Sequence, residues 1–235
     1  MQYHLGIQEV RQISWGPRVT TGELSLPSRS YPLLFLAENH AFTAFAYQYI
    51  VSRFPREAFF LLILDTHLDI FPDQENPETL HRGNFLRYLL ERGMIEEEHL
   101  FVSPLQNPLS SLREALNRFG EGFYYLSWDL DFGLPRYACF SSPLHLPFLD
   151  LQEIFRLLGR HLRKPKRHLI GMDIVEMNLS DFYFLPKLAF QIATLLQYLA
   201  PQKLARFGPA HLDRLHHSKY AKYAQWKRRY RQRRK

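Results

Sequence analysis

The chain has 235 residues, 46% of them hydrophobic and 15% aromatic, enough for one substantial folded core and incompatible with a disordered polymer. Its single cysteine, Cys139, excludes an internal disulfide framework and a cysteine-based zinc cluster and suits a reducing cytoplasm; Met1-Gln2-Tyr3-His4 opens no apolar signal-peptide core, and no apolar run reaches membrane-span length. The formal charge of +7 is an uneven average: ten Lys/Arg and no Asp/Glu lie in 214–235, leaving 20 basic against 23 acidic residues in 1–213, which read as one domain followed by a basic tail.

Residues 1–30 alternate short apolar pieces with Gly, Pro and Ser and read as an entry strand plus loops. Tyr31 to Ala37 is the first buried strand, delivering Glu38, Asn39 and His40, and a helix over Phe42 to Arg53 closes before Pro55. Phe59 to Leu64 is an apolar run of the kind buried on both faces of a parallel sheet. The polar loop 70–79 leads through His81 into a helix ending near Gly93, and Leu100 to Val102 is a short strand. Pro108 to Phe119 is helical, with Ser110 and Ser111 ahead of Glu114 suggesting a capping arrangement. Phe123 to Leu126 is a buried strand, Leu149 to Leu162 an amphipathic helix, His168 to Ile170 the start of another strand, and Phe182 to Leu199 the last long helix, with Pro186 as a possible interruption. Strands alternating with helices of this length predict an α/β fold: a three-layer α/β/α domain around a mainly parallel sheet.

The chemistry gathers where strands end. Charged residues do not continue a buried strand, so Asp65 marks the carboxyl end of its strand, where open α/β sheets bind ligands. In Asp65-Thr66-His67-Leu68-Asp69, extended backbone would put Asp65, His67 and Asp69 on one face and converge them on a single point. Taken alone, the pattern also fits a polar loop with a stray histidine. Two further strand ends carry donors of the same type: His40 after the first, and Asp129 with Asp131 after Phe123 to Leu126. Imidazole and carboxylate donors suit a divalent cation such as manganese. Five or six of them sharing bridging carboxylates would hold two cations, able to polarise an electrophile and to lower the pKa of a water between them.

Four segments in order, Glu38-Asn39-His40, Asp65-Thr66-His67-Leu68-Asp69, Ser127-Trp128-Asp129-Leu130-Asp131 and Met172-Asp173-Ile174-Val175-Glu176-Met177-Asn178, make the sequence resemble the ureohydrolase superfamily of arginases and agmatinases. The resemblance implies the arginase/deacetylase-like fold and two Mn2+ per chain. One ion would take His40, Asp65, Asp69 and Asp129, and the other His67, Asp65, Asp129 and Asp131, so that Asp65 and Asp129 bridge. It also implies that Glu176 pairs with a substrate guanidinium, for which a carboxylate is the natural fork-shaped partner. His81 stands where the superfamily has a proton-relaying histidine, although a surface histidine at a helix start would look the same. Asp173 reads as structural. The zinc deacetylases of the same fold keep only one metal site, which the full Asp-x-His-x-Asp, the second Asp-x-Asp and Glu176 argue against.

Departures from the superfamily concern the substrate. The glycine-rich entry to the first histidine is replaced by Glu38-Asn39, and the chain is shorter than typical arginases, mostly at its beginning. The loop that in free-arginine arginases holds the α-amino and α-carboxylate groups here offers Phe71 and Pro72, with Pro77 before His81, and these cannot make such hydrogen bonds. With these departures the sequence resembles most the compact peptide arginases of ribosomal-peptide biosynthesis, and that resemblance implies conversion of arginine residues to ornithine, with Phe71, His81 and Glu176 on the substrate side. Agmatine or another small guanidine is the alternative substrate. A non-catalytic binding protein on the same fold, using the tail, is the alternative class. In the tail, basic residues interleave with Tyr220, Tyr223, Trp226 and Tyr230. Such a segment reads first as a solvated end; it could attract an acidic leader peptide, while nucleic acid is the less favoured partner.

Overall fold

The computed structural model describes residues 7–9, 33–37, 39–52, 58–70, 80–104, 106–138, 146–177 and 186–199. Within them, six strands form one sheet: β1 (Ile7–Glu9), β2 (Leu33–Leu36), β3 (Phe59–Leu64), β4 (Leu100–Val102), β5 (Gly122–Asp129) and β6 (Arg167–Val175). Their order is β1-β2-β6-β5-β3-β4, and every neighbouring pair is parallel. The helices are α1 (Phe42–Val51), α2 (Phe85–Glu91), α3 (Pro108–Arg118), α4 (Phe148–Leu162) and α5 (Pro186–Leu199). None of the helices is long and apolar enough to cross a membrane, among the described residues.

The continuous apolar run of β3 is explained by burial on both faces. Phe60, Leu62 and Leu64 join one core with Leu112 and Leu116 of α3, Ile154, Phe155 and Leu158 of α4, and Leu188 and Leu195 of α5. The alternate residues Phe59, Leu61 and Ile63 join the other core with Tyr47 and Ile50 of α1 and Phe85 and Leu89 of α2. The result is the expected three-layer α/β/α arrangement, with all strands pointing the same way and their carboxyl ends collected on one edge. In the middle of that edge lie the ends of β2, β6, β5 and β3, side by side.

One local expectation changes, and another reaches beyond the described residues. The last helix is described from Pro186 onward, and the expected stretch 182–185 ahead of it lies outside the described residues. The Ser110, Ser111 and Glu114 arrangement caps nothing: α3 begins at Pro108 after Asn107, whose φ of 53° lies in the left-handed region that Asn tolerates, and the serines fall inside the helix. The predicted entry region 1–30 is described only at β1. Glu38, Phe71, Pro72, Pro77, residues 182–185 and the basic tail lie outside the described residues.

Candidate metal centre

His40 follows β2 in the turn that starts α1, where its carbonyl accepts from the Thr43 amide at 3.0 Å. The ring is wholly buried, against Phe85 of α2 with centroids 4.2 Å apart. Its Nδ1 lies 3.1 Å from Asp65 Oδ2, 3.0 Å from Asp69 Oδ2 and 3.3 Å from Asp129 Oδ2. His67 Nδ1 lies 3.4 Å from Asp65 Oδ1 and 3.3 Å from Asp131 Oδ2. All six sequence-predicted metal residues are thus brought together, and Asp65 turns one carboxylate oxygen toward each histidine.

The route to this geometry differs from the extended strand expected. β3 stops at Leu64. The chain then turns, with the His67 amide donating to Asp65 Oδ1 at 2.8 Å and Asp69 at a φ of 48°. Asp65, His67 and Asp69 therefore do not converge on one point. Asp69 goes to the His40 side and His67 to the Asp131 side, with Asp65 between. The Asp129–Asp131 pair repeats the device at the end of β5, where the Asp131 amide donates to Asp129 Oδ1 at 2.9 Å. In both segments an aspartate accepts from the amide two residues on, which fixes the turn and aims the remaining oxygens.

Three atoms in this cluster are buried with no hydrogen-bond partner: His40 Nδ1, Asp65 Oδ2 and Asp131 Oδ1. Buried polar atoms are rarely left unpaired, and His40 Nδ1 and Asp65 Oδ2 lie 3.1 Å apart within the same group of metal-type donors. Nitrogen and carboxylate oxygen donors in two groups sharing Asp65 fit a pair of divalent cations. A third acidic group, Glu96, Glu98 and His99, sits on an exposed turn before β4 with no such burial.

The electrostatics follow from crowding. Burial favours a neutral His40, yet Asp129, Asp65 and Asp69 together raise its pKa well above the ordinary range. Asp65 outweighs partial burial at His67 and raises it to about 9. Burial disfavours ionised Asp65, but His40 and His67 prevail and hold its carboxyl below the usual range. Asp69, Asp129 and Asp131 are pushed upward, chiefly by burial and then by neighbouring carboxylates. Carboxylates and imidazoles crowded in this way shift one another in directions that a cation among them would relieve.

Behind the cluster, His40 Nε2 and Ser127 Oγ share a hydrogen bond at 3.1 Å, and Ser127 Oγ lies 3.0 Å from Thr43 Oγ1. Ser127 and Thr43 also adjoin Asp173, which is fully buried on β6 and accepts from Tyr125 Oη at 2.7 Å. Burial raises the Asp173 pKa and these donors oppose it. Sequence reading treats Asp173 as structural; it lies behind the hydroxyls that the His40 ring meets. Thr66, which donates to Asp131 Oδ2, escaped sequence reading because nothing in its spacing separates it from a filler between two ligand-type residues.

Glu176 lies just past β6, buried and held at a φ of 54°. A non-glycine residue there is uncommon and marks a position where the backbone is imposed by its surroundings. Burial raises its pKa to about 7 against the opposing pull of His40 and Arg82. Arg82 Nη1 is 3.9 Å from Glu176 Oε1, a partner that sequence reading missed. His81, beside it, is half-buried, and its Nδ1 accepts from the Gly83 amide at 3.1 Å, which leaves Nε2 to carry the proton of the neutral ring. Phe71 cannot be placed relative to the site, since it lies outside the described residues.

The fold is similar to those of solved arginases and agmatinases. Among solved structures, proclavaminate amidino hydrolase from Streptomyces clavuligerus matches at 16% identity over 73% of this chain and 64% of that one, with a TM-score of 0.54. A hypothetical agmatinase from Burkholderia thailandensis matches at 20% identity over 76% and 60%, with a TM-score of 0.54. Arginase from Helicobacter pylori matches at 17% identity over 73% of each chain, with a TM-score of 0.56. The first two are covered over less than two thirds of their own length, and at such identities the likeness establishes the fold. No protein-family model and no curated protein matches the sequence.

Proposed function

We propose that the chain is a guanidine hydrolase dependent on two divalent cations, with manganese as the metal, that releases urea and leaves an amine. The observation that carries this reading is the shared carboxylate of Asp65, one oxygen toward each of two histidines, with the buried Glu176 on the same edge at the end of β6. His40, Asp65, Asp69 and Asp129 would hold one cation and His67, Asp65, Asp129 and Asp131 the other. When bound, the pair would supply Lewis acidity and lower the pKa of water between them. Glu176 would bind and orient the substrate guanidinium, whose charge would favour the ionised carboxylate that burial otherwise resists. His81 Nε2 would exchange the proton that the departing amine requires.

The substrate we favour is an arginine side chain within a peptide, which becomes ornithine. Phe71 and Pro72 lack the groups needed to hold a free amino acid's head, and Leu68 and Ile70, on either side of Asp69, are exposed apolar side chains suited to a larger substrate. The tail, 214–235, would then be available to an acidic leader segment. The second reading, agmatine, is favoured by the solved structures of similar fold that are named as agmatinases. Urea release in the presence of Mn2+ from an arginine-containing peptide, agmatine and free arginine decides between them. Highest kcat/KM on the peptide is expected. Highest kcat/KM on agmatine would shift the substrate assignment, and no urea from any guanidine would remove the functional reading altogether.

A further inference from the structure

Glu176 already has a guanidinium beside it. Arg82 sits on a turn fixed from both sides: the His81 amide donates to Asn84 Oδ1 at 2.8 Å, and the Asn84 amide donates to the His81 carbonyl at 3.1 Å. The turn runs directly into α2, whose Phe85 is fully buried against His40. The Arg82 backbone is thereby tied to the metal cluster, while its side chain remains one third exposed. The terminal nitrogen that approaches Glu176 is itself buried. The contact is a single one at 3.9 Å, the outer edge of ion-pair range, and not the two-pronged fork that a guanidinium and a carboxylate can form.

We propose that Arg82 is an internal stand-in for the substrate guanidinium, occupying Glu176 in the resting chain and giving way when a substrate guanidinium arrives, so that it acts as a specificity-determining residue. The inference rests on the guanidine-hydrolase reading of the same site. A buried carboxylate without a cation is costly, and a guanidinium at 3.9 Å that forms no fork lowers that cost while leaving the carboxylate open to a closer partner. Exchange of one guanidinium for another leaves the charge at Glu176 unchanged, so a substrate forming the full fork displaces Arg82 at little electrostatic cost. A neutral amide or urea has no charge to exchange and would have to leave Glu176 uncompensated. The substrate class that passes is therefore a guanidinium on a slender chain able to reach beneath Arg82.

The test uses the full chain loaded with Mn2+ and the variants Arg82→Gln, Arg82→Lys and Glu176→Gln. Two quantities are read: KM for the best guanidine substrate, and the Kd of guanidinium ion, added as its chloride at millimolar concentration and followed by calorimetry. In Arg82→Gln both constants are expected to fall about tenfold, a difference of one decade in affinity. Arg82→Lys, which keeps a cation near Glu176, should remain close to wild type, and Glu176→Gln should lose guanidinium binding. A higher KM in Arg82→Gln, or an unchanged guanidinium Kd, overturns the proposal. If wild-type protein releases no urea from any guanidine, the functional reading fails by itself. Guanidinium binding then still decides the role of Arg82, upheld by tightening in Arg82→Gln and overturned by its absence.

Discussion

Two buried histidines sit at opposite ends of the same sheet, and they are treated in opposite ways. At the carboxyl ends of the strands, His40 faces three carboxylate oxygens with Nδ1 unpaired, and its pKa is driven up. At the amino ends, His161 of α4 uses both nitrogens. Arg167 donates to Nδ1 at 2.9 Å, Nε2–H donates to Tyr124 Oη at 2.8 Å, and Tyr124 donates in turn to the Gly120 carbonyl at 2.6 Å. Burial first, then the charges of Arg167 and Lys164, lower His161 to about 4. The His161 network closes on itself and needs nothing further. The His40 cluster leaves His40 Nδ1, Asp65 Oδ2 and Asp131 Oδ1 without hydrogen-bond partners. A buried histidine is thus informative through what its neighbours leave unsatisfied, not through its burial.

Substitutions at the two ends should therefore separate activity from stability. The largest effect is expected at the open end. His67→Ala, with the side chain nearly half exposed, should lower Mn2+-dependent urea release by about a thousandfold or more, roughly 4 kcal/mol of transition-state stabilisation, while thermal unfolding of the metal-free chain barely moves. Full activity in that variant would remove His67 from the site. Asp173→Asn keeps the volume but weakens the acceptor behind Ser127 and Thr43, and should reduce Mn2+ affinity about 10- to 100-fold. An unchanged affinity would return Asp173 to a purely structural role.

The closed end should behave in the reverse sense. His161 is neutral in the fold and binds a proton more readily when unfolded, so its contribution is fully present above its ordinary pKa of 6.5 and is lost as pH falls toward about 4. With allowance for partial solvent contact, the loss across that window should be about 1–2 kcal/mol, measured by urea unfolding at several pH values. His161→Ala should remove that contribution, read as the wild-type minus variant difference in stability across the window, and leave Mn2+ affinity as it was. A difference that does not change with pH would place the titrating group elsewhere.

What could be read from the sequence followed from local pattern. The unbroken apolar run of β3 announces a strand buried on both faces, and the donors after Leu64 and around Asp129 announce the functional edge. The turn that splits Asp65, His67 and Asp69 between two positions was not legible, because extended-strand periodicity stops applying once Asp65 accepts from the His67 amide. Arg82 and the His161–Tyr124–Arg167 chain were not legible for a different reason. Their partners lie 94, 37 and 6 residues away, and no spacing rule links a turn after one loop with the end of another strand. Asp173 was visible as a residue but not as a support, since its partners Tyr125, Ser127 and Thr43 come from other elements.

The central claim is that the carboxyl edge of the sheet is built around two cations sharing Asp65. Equilibrium titration of the metal-free full chain with Mn2+, read by calorimetry together with the spin-coupled signal of a metal pair in electron paramagnetic resonance, tests it most directly. Two Mn2+ per chain with a coupled spectrum is the expected result. A stoichiometry of one or none, or two uncoupled ions, would contradict it.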